Sequence, residues 1–374
     1  MKMREMNYEE YIGERCGCCV MPKGYKAMRF DNGRCEMCSS FTPKTFKGGE
    51  ALVRDLDLNP GEKVGITVSG GKDSILMWGV LADYLGQNRV QAFTYFKEGL
   101  SSEVALENVK KAGRVLNSTP LIVYESTSLE RFRRNFRCFM KRPDPASVRV
   151  LLCAGCRYGI TEQLYRLGEQ EGITKYISGA SYLELAPFKE ELLMCKSHRH
   201  DIDDGLEEVI REYPSLAWGD NLSVIRRDQK YKYKNNETLG NNFSTGTYRY
   251  KLYDFDDYFE NDPFKIEAIV RDRFGWEKTD RSWHFDCRIE DLKDVFYFGF
   301  LGYTELDFKL SAMVRYGLID RATAIEELCA QAKSIRTSAP KICALLIELG
   351  LEDTVPEMMA FYDKYIFLKE DRIA

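Results

Sequence analysis

The chain has 374 residues, a mass of 43.3 kDa and 44% hydrophobic residues, enough to bury a large core and to build one catalytic domain with appendages. Its net charge of −4 and pI near 5.7 exclude a broad basic field, so nucleic acid is not expected as a partner and a long RNA is disfavoured as a substrate. No run of about 18 apolar residues occurs, and the start, Met1 to Glu10, is too polar for a secretory signal, which predicts a cytoplasmic protein that does not enter a membrane.

Five of the twelve cysteines lie within the first 38 residues. In a reducing compartment clustered cysteines are metal ligands more often than disulfides. Cys16 and Cys19 form one C-x2-C, Cys35 and Cys38 a second, and fifteen residues separate them, a spacing suited to four thiolates around one Zn²⁺. Turn residues at Pro22 to Gly24 and at Asp31-Asn32-Gly33 let each pair sit on a tight knuckle. Cys18 is the odd cysteine; it can replace Cys19, but Cys16 with Cys19 keeps the gap that Cys35 and Cys38 show. The ribbon is expected over residues 1–50.

Next comes the apolar run Val64 to Val68, followed by Ser69-Gly70-Gly71-Lys72-Asp73-Ser74 and then a helical pattern to Leu85. Strand, glycine turn and helix start together form an anion cradle: the glycines turn backbone N–H groups outward, and the helix N-terminus adds partial positive charge. The spacing is not that of a Walker A loop, and Ser69 stands where a GxGxxG would need its first glycine. The six residues resemble the PP-loop of the ATP pyrophosphatases, which cut ATP between its α and β phosphates. On that resemblance Ser69, Gly70, Gly71, Lys72, Asp73 and Ser74 bind ATP and its pyrophosphate. Lys72 neutralises the leaving phosphates, and Asp73 holds or orients Mg²⁺.

Strands are expected at Val64 to Val68, Val90 to Phe96, Pro120 to Tyr124 and Tyr176 to Ser178, with helices at Ser74 to Leu85, Ser101 to Leu116, Leu129 to Met140 and Arg157 to Glu171. Such alternation predicts an α/β fold, a doubly wound parallel sheet over residues 51–200 with its ligand at the C-terminal strand ends. Pro143-Asp144-Pro145 reads as a mobile loop able to approach that end. Cys153 and Cys156, at the start of the helix expected from Arg157, admit three readings: structural thiols, a metal or Fe–S site completed by Cys287 or Cys195, or a redox pair. Gly179 brings backbone close to phosphate, and Glu184 is either a second Mg²⁺ carboxylate beside Asp73 or a solvated charge.

Residues 201–374 read as a mixed and then helical region for substrate or partner. Lys230 to Asn236 interleaves Lys with Tyr, as an RNA-binding strip or, favoured because Asp254, Asp256 and Asp257 cancel its field, a lysine-guarded strand edge. Ile289 to Phe367 reads as several amphipathic helices. Of the three histidines, His198 and His200 flank Arg199, and His284 is the one to mutate.

Three segments in order resemble the N-acetyl sugar amidotransferases of bacterial surface-polysaccharide synthesis: Cys16 to Pro22 with Phe30 to Cys38, then SGGKDS, then Ile289 to Asp294, Phe300 to Tyr303 and Val314 to Leu328. The resemblance implies an adenine nucleotide alpha hydrolase-like sheet with an N-terminal zinc ribbon. It also implies an enzyme that adenylates the acetamido oxygen of an N-acetyl nucleotide sugar and lets ammonia, from a separate glutaminase, displace AMP. Ser178 to Glu184 departs from the family's Gly-Glu-Asn loop. The rival reading is a PP-loop sulfur transferase that thiolates tRNA or a small molecule with a [4Fe–4S] cluster at Cys153, Cys156 and Cys287.

Overall fold

A computed structural model describes residues 9–158, 164–179, 181–197, 202–213, 237–242, 246–278 and 287–367. Its helices in chain order are α1 Glu9–Ile12, α2 Glu36–Ser39, α3 Gly49–Leu56, α4 Lys72–Leu85, α5 Glu103–Val115, α6 Ser128–Lys141, α7 Pro145–Tyr158 and α8 Leu164–Gln170. They continue as α9 Phe188–Lys196, α10 Ile202–Glu212, α11 Pro263–Phe274, α12 Glu290–Leu301, α13 Glu305–Arg315, α14 Arg321–Thr337, α15 Ala339–Glu348 and α16 Val355–Phe361. The strands are β1 Phe30–Asp31, β2 Arg34–Cys35, β3 Val64–Thr67, β4 Val90–Lys97, β5 Leu121–Glu125, β6 Lys175–Ser178, β7 Glu237–Asn242 and β8 Gly246–Asp254.

Six strands form one sheet in the order β5-β4-β3-β6-β8-β7, with five parallel and β7 antiparallel at the edge. The run Val64 to Ile66 is apolar because both faces are covered: α3, α4, α5 and α11 pack Leu52, Trp78, Val109 and Val270 on one face, and Phe93, Tyr176 and Tyr250 pack with Leu167 of α8 on the other. Chain order leaves β3 toward β4 and β5 on one side and toward β6 and β8 on the other. The strand order thus reverses beside β3, where an open sheet binds its ligand.

The sheet runs beyond residue 200, the limit expected for it. β8 pairs in parallel with β6, and α11 packs on α4, because Tyr253, Phe255 and Val270 bury their side chains in the same core as Trp78. The helix expected over Arg157 to Glu171 is helical where it is described, as the end of α7 and as α8, with residues 159–163 outside the described residues, but α7 begins earlier than expected, at Pro145. Pro145 is compatible with a first-turn position that needs no N–H, while Asp144 accepts from the Ala146 and Ser147 N–H groups at 3.0 and 3.3 Å. Asp144 is further held by Lys196 at 3.2 Å and the Tyr213 hydroxyl at 3.1 Å, so the proline pair opens an anchored helix instead of a swinging loop.

The C-terminal helices have strong local starts. Thr304 and Asp307 form a capping box on α13, and Asp320 caps α14 through the Thr323 N–H at 2.8 Å. At the other end of the chain β1 and β2 form a hairpin whose turn, Asn32-Gly33, has φ of 47° and 77°, values that suit Asn and Gly. No described helix is long and apolar enough to cross a membrane.

Candidate active site

The cradle lies at the C-terminal end of β3. Gly70 has φ +88°, and a Cβ there would stand 2.0 Å from the Ala105 carbonyl oxygen on α5. Only glycine lets the chain pass so close in that conformation. The carbonyl of Gly70 accepts from Trp276 Nε1 at 3.0 Å and Asn108 Nδ2 at 3.4 Å, which pins the orientation of the turn. Helix α4 then begins at Lys72, and its first-turn N–H groups lack partners within the helix. Ser69 Oγ accepts from the Gly71 N–H at 3.3 Å and lies 3.5 Å from Ser74 Oγ, which itself donates to the Gly71 carbonyl at 2.9 Å. Lys72 Nζ pairs with both Asp73 oxygens at 2.8 and 2.9 Å. All six residues of the motif therefore meet in one small region.

Beside them opens a cavity of about 240 Å³ between the ends of β3, β4 and β6, with Ser69, Ser74, Thr94, Lys97, Ser178 and Gly179 among its walls. Gly179 thus stands with the cradle. Lys97, 7% exposed, carries no sequence signal because it ends a mostly apolar strand and nothing local marks it.

Glu184 lies in the turn that follows Gly179. Its carboxylate takes an ion pair from Lys309 at 2.8 Å. A second carboxylate, Asp256, lies just past the end of β8, feels the charge of Asp73 and accepts from the Tyr182 N–H. Burial pushes Asp256 up to about 7; the Tyr182 N–H and Lys44 oppose this, and Asp73 and Asp254 add to it. In the sequence these aspartates show only their charge, not which of them is buried. A raised acid favours the folded state at low pH, and that contribution is lost as pH rises from the ordinary carboxylate range through about 7. Asp256→Asn is expected to flatten this loss, and urea unfolding midpoints at pH 4.5, 6 and 8 measure it; parallel curves for variant and wild type would count against the assignment.

The four N-terminal cysteines converge. Cys16, Cys19, Cys35 and Cys38 are buried with all four sulfurs within 4.8 Å of one another, Cys19 to Cys35 at 3.7 Å and Cys16 to Cys38 at 4.0 Å. A tetrahedron with Zn–S bonds of about 2.3 Å has edges of about 3.8 Å, so the quartet fits a single ion. Backbone N–H groups of Cys18, Met21 and Cys35 point at the sulfurs at 3.3 to 3.4 Å, as loops around metal-bound thiolates do. Hydrogen bonds from Cys35 and Cys38 hold the Cys19 thiol far below its usual range, while bonding to Cys19 drives Cys35 and Cys38 up. Cys18 is exposed and outside the quartet.

Cys153, half-buried on α7, and Cys287 both act on Lys293 of α12. Burial alone would lower Lys293, but Glu290, Cys153, Glu305 and Cys287 outweigh it and hold the ammonium well above its usual value. Cys287 also bridges Ser101, a wall of the cavity. Cys195 is exposed on α9. The Cys156 side chain, His198, His200, His284 and Lys230 to Asn236 lie outside the described residues.

No family model matches the chain, and no curated protein does. Among solved structures it is similar to the glutamine-dependent NAD+ synthetase of Acinetobacter baumannii in complex with ADP, at 18% identity over 48% of this chain and 33% of that one, TM-score 0.28. The chain thus spans about a third of that synthetase. It is similar also to the NH3-dependent NAD synthetase of Campylobacter jejuni in complex with nitrate, 18% identical over 53% of this chain and 76% of that one, TM-score 0.27. The U34-tRNA thiolase NcsA of Methanococcus maripaludis with its [4Fe–4S] cluster is 14% identical over 84% of this chain and 88% of that one, TM-score 0.35.

Proposed function

We propose that the chain is an AMP-forming, ATP-dependent amidotransferase acting on the acetamido group of an N-acetyl nucleotide sugar. The observation that carries the ATP step is the Gly70 turn: pressed on Ala105, it delivers the start of α4 and its N–H groups to the mouth of the cavity walled by Gly179. The acetamido oxygen attacks the α-phosphorus, an O–P bond forms and the bond to the β-phosphate oxygen breaks. Pyrophosphate leaves into the cradle, where Lys72 and the Ser69 and Ser74 hydroxyls bear on its growing charge. Ammonia from a glutaminase partner then adds at the imidate carbon and AMP departs, leaving an acetamidino group. Asp73 would hold Mg²⁺, which when bound neutralises phosphate charge. The quartet of Cys16, Cys19, Cys35 and Cys38 holds Zn²⁺ in a structural role, since four protein ligands leave no open position. The N-acetyl sugar as acceptor and ammonia as nucleophile rest on the resemblance of the ribbon, cradle and C-terminal segments.

A second reading, sulfur transfer, is favoured by one observation: the backbone of Cys287 bridges Ser101 in the cavity wall. Incubating the zinc-loaded chain with α-labelled ATP, ammonium and N-acetyl nucleotide sugars decides between them. AMP with oxygen replaced by nitrogen in the acceptor is the expected result, and ADP as product overturns the cleavage site. Oxygen replaced by sulfur, in an anaerobic preparation supplied with sulfide, selects the second reading. Lys72→Ala is expected to lower AMP formation about 10²- to 10³-fold with stability near wild type, because the side chain, though only 17% exposed, pairs with Asp73, its neighbour in sequence.

A further inference from the structure

Three guanidinium groups tie the Cys16–Cys19 knuckle to the C-terminal helices. Arg15, 5% exposed, donates to Asp307 Oδ1 of α13 at 2.5 Å and to the carbonyls of Val20 and Ile12 within the ribbon. Arg321, the first residue of α14, donates through Nε to the carbonyls of Cys16 and Cys19 at 3.1 and 3.0 Å. Arg315, the last residue of α13, donates to Cys19 Sγ at 3.7 Å. Four thiolates around a divalent ion keep a net charge of about −2, which Arg315 offsets. Arg15 can meet Asp307 only while the knuckle keeps its shape, because the Cys16 N–H to Met21 carbonyl bond at 2.9 Å and the Arg15–Pro22 bridge fold the segment back on itself.

Helix α13 has a further attachment, on the side of the sheet. Lys309 reaches Glu184 at 2.8 Å, and Glu184 closes the turn Ser181–Glu184 that follows Gly179. Tyr182 in that turn packs on Tyr316, the residue after α13, with ring centroids 4.8 Å apart, and its N–H is held by Asp256. One eleven-residue helix therefore touches both the metal ligands and the turn beside the cradle.

We propose that α13 couples the four-cysteine metal centre to the anion cradle: the metal-bound knuckle fixes Arg15 and Arg315, these fix α13, and Lys309 on α13 holds Glu184 and the Ser181–Glu184 turn in place beside Gly179. Lys309 is a positioning residue, and zinc governs nucleotide affinity without touching nucleotide. The inference rests on the zinc and ATP readings above, not on the identity of the acceptor.

Hydrogen exchange of the full chain, with zinc content and binding of a non-hydrolysable ATP analogue measured on the same samples, tests it. Chelation is expected to speed exchange over residues 181–187 about tenfold while residues 64–67 and 90–97 keep their protection, and to weaken analogue binding. Lys309→Met should give the same acceleration with zinc still bound, Lys309→Arg should restore much of the protection, and chelation of Lys309→Met should add little at that turn. Unchanged exchange at 181–187 in both the chelated chain and Lys309→Met overturns the coupling, as does an equal rise throughout the sheet. A chain that takes up no zinc overturns the metal reading and the coupling with it. A chain that takes zinc and shows the exchange change but binds no analogue overturns the ATP reading and the nucleotide clause of the proposal, while the link between knuckle and turn stands.

Discussion

Gly70→Ala is expected to remove both stability and nucleotide chemistry, with the unfolding free energy falling on the order of 3 kcal/mol. Two costs add. A φ of +88° is unfavourable for any L side chain, and the new Cβ would stand 2.0 Å from a helix carbonyl oxygen that cannot move alone. If the loop shifts instead, it does so by breaking the bonds from Trp276 and Asn108 to the Gly70 carbonyl, and the start of α4 loses its aim. Gly71→Ala is the matched control. Gly71 has φ −69° and ψ 154°, open to any residue, and its Cβ would come no nearer than 3.4 Å to Ser69 Oγ, so its stability should stay within about 0.5 kcal/mol of wild type. Urea unfolding of the two variants side by side, with AMP formation as second readout, checks the contrast; equal behaviour of both would show that the turn is not the one described.

Cys35→Ser is expected to bring the zinc content of the purified chain to near zero and to lower the midpoint of thermal unfolding by more than 10 °C, an order-of-magnitude figure since a structural zinc site contributes much of a small domain's folding free energy. Cys35 supplies one sulfur and, through its N–H at 3.3 Å, orients another, that of Cys16. The loss should spread to α13 and α14, because Arg15, Arg315 and Arg321 would then face a knuckle without fixed shape. Cys18→Ser, at an exposed thiol outside the quartet, should keep both zinc and midpoint. Metal analysis with calorimetry separates the outcomes, and zinc retained at full stoichiometry by Cys35→Ser would mean that the quartet is not the site.

The features read correctly along the chain are those whose physics is local. The strand, glycine turn and helix of the cradle occupy adjacent residues, so the alternation of apolar runs and the six letters Ser69 to Ser74 determined their shape and place. The cysteine pairs are equally local, each on its own turn, and tetrahedral ligation requires only that the two turns meet. Misreadings arose where one residue type serves two ends. Pro143 and Pro145 signal a break, but a proline also opens a helix, and the aspartate between them capped α7 once Lys196 and Tyr213 had fixed its carboxylate.

What only the tertiary structure decided is partnership. Trp276 reaches the Gly70 carbonyl across 206 positions, Arg15 meets Asp307 across 292, and Lys309 claims Glu184 across 125. The sequence shows the sign of each charge, yet whether a carboxylate faces Mg²⁺, an ammonium or water depends on what the fold places within about 4 Å of it. Asp256 makes the same point: among three neighbouring aspartates it is burial beneath Tyr182, beside Asp73, that sets it apart, and burial belongs to the packed chain.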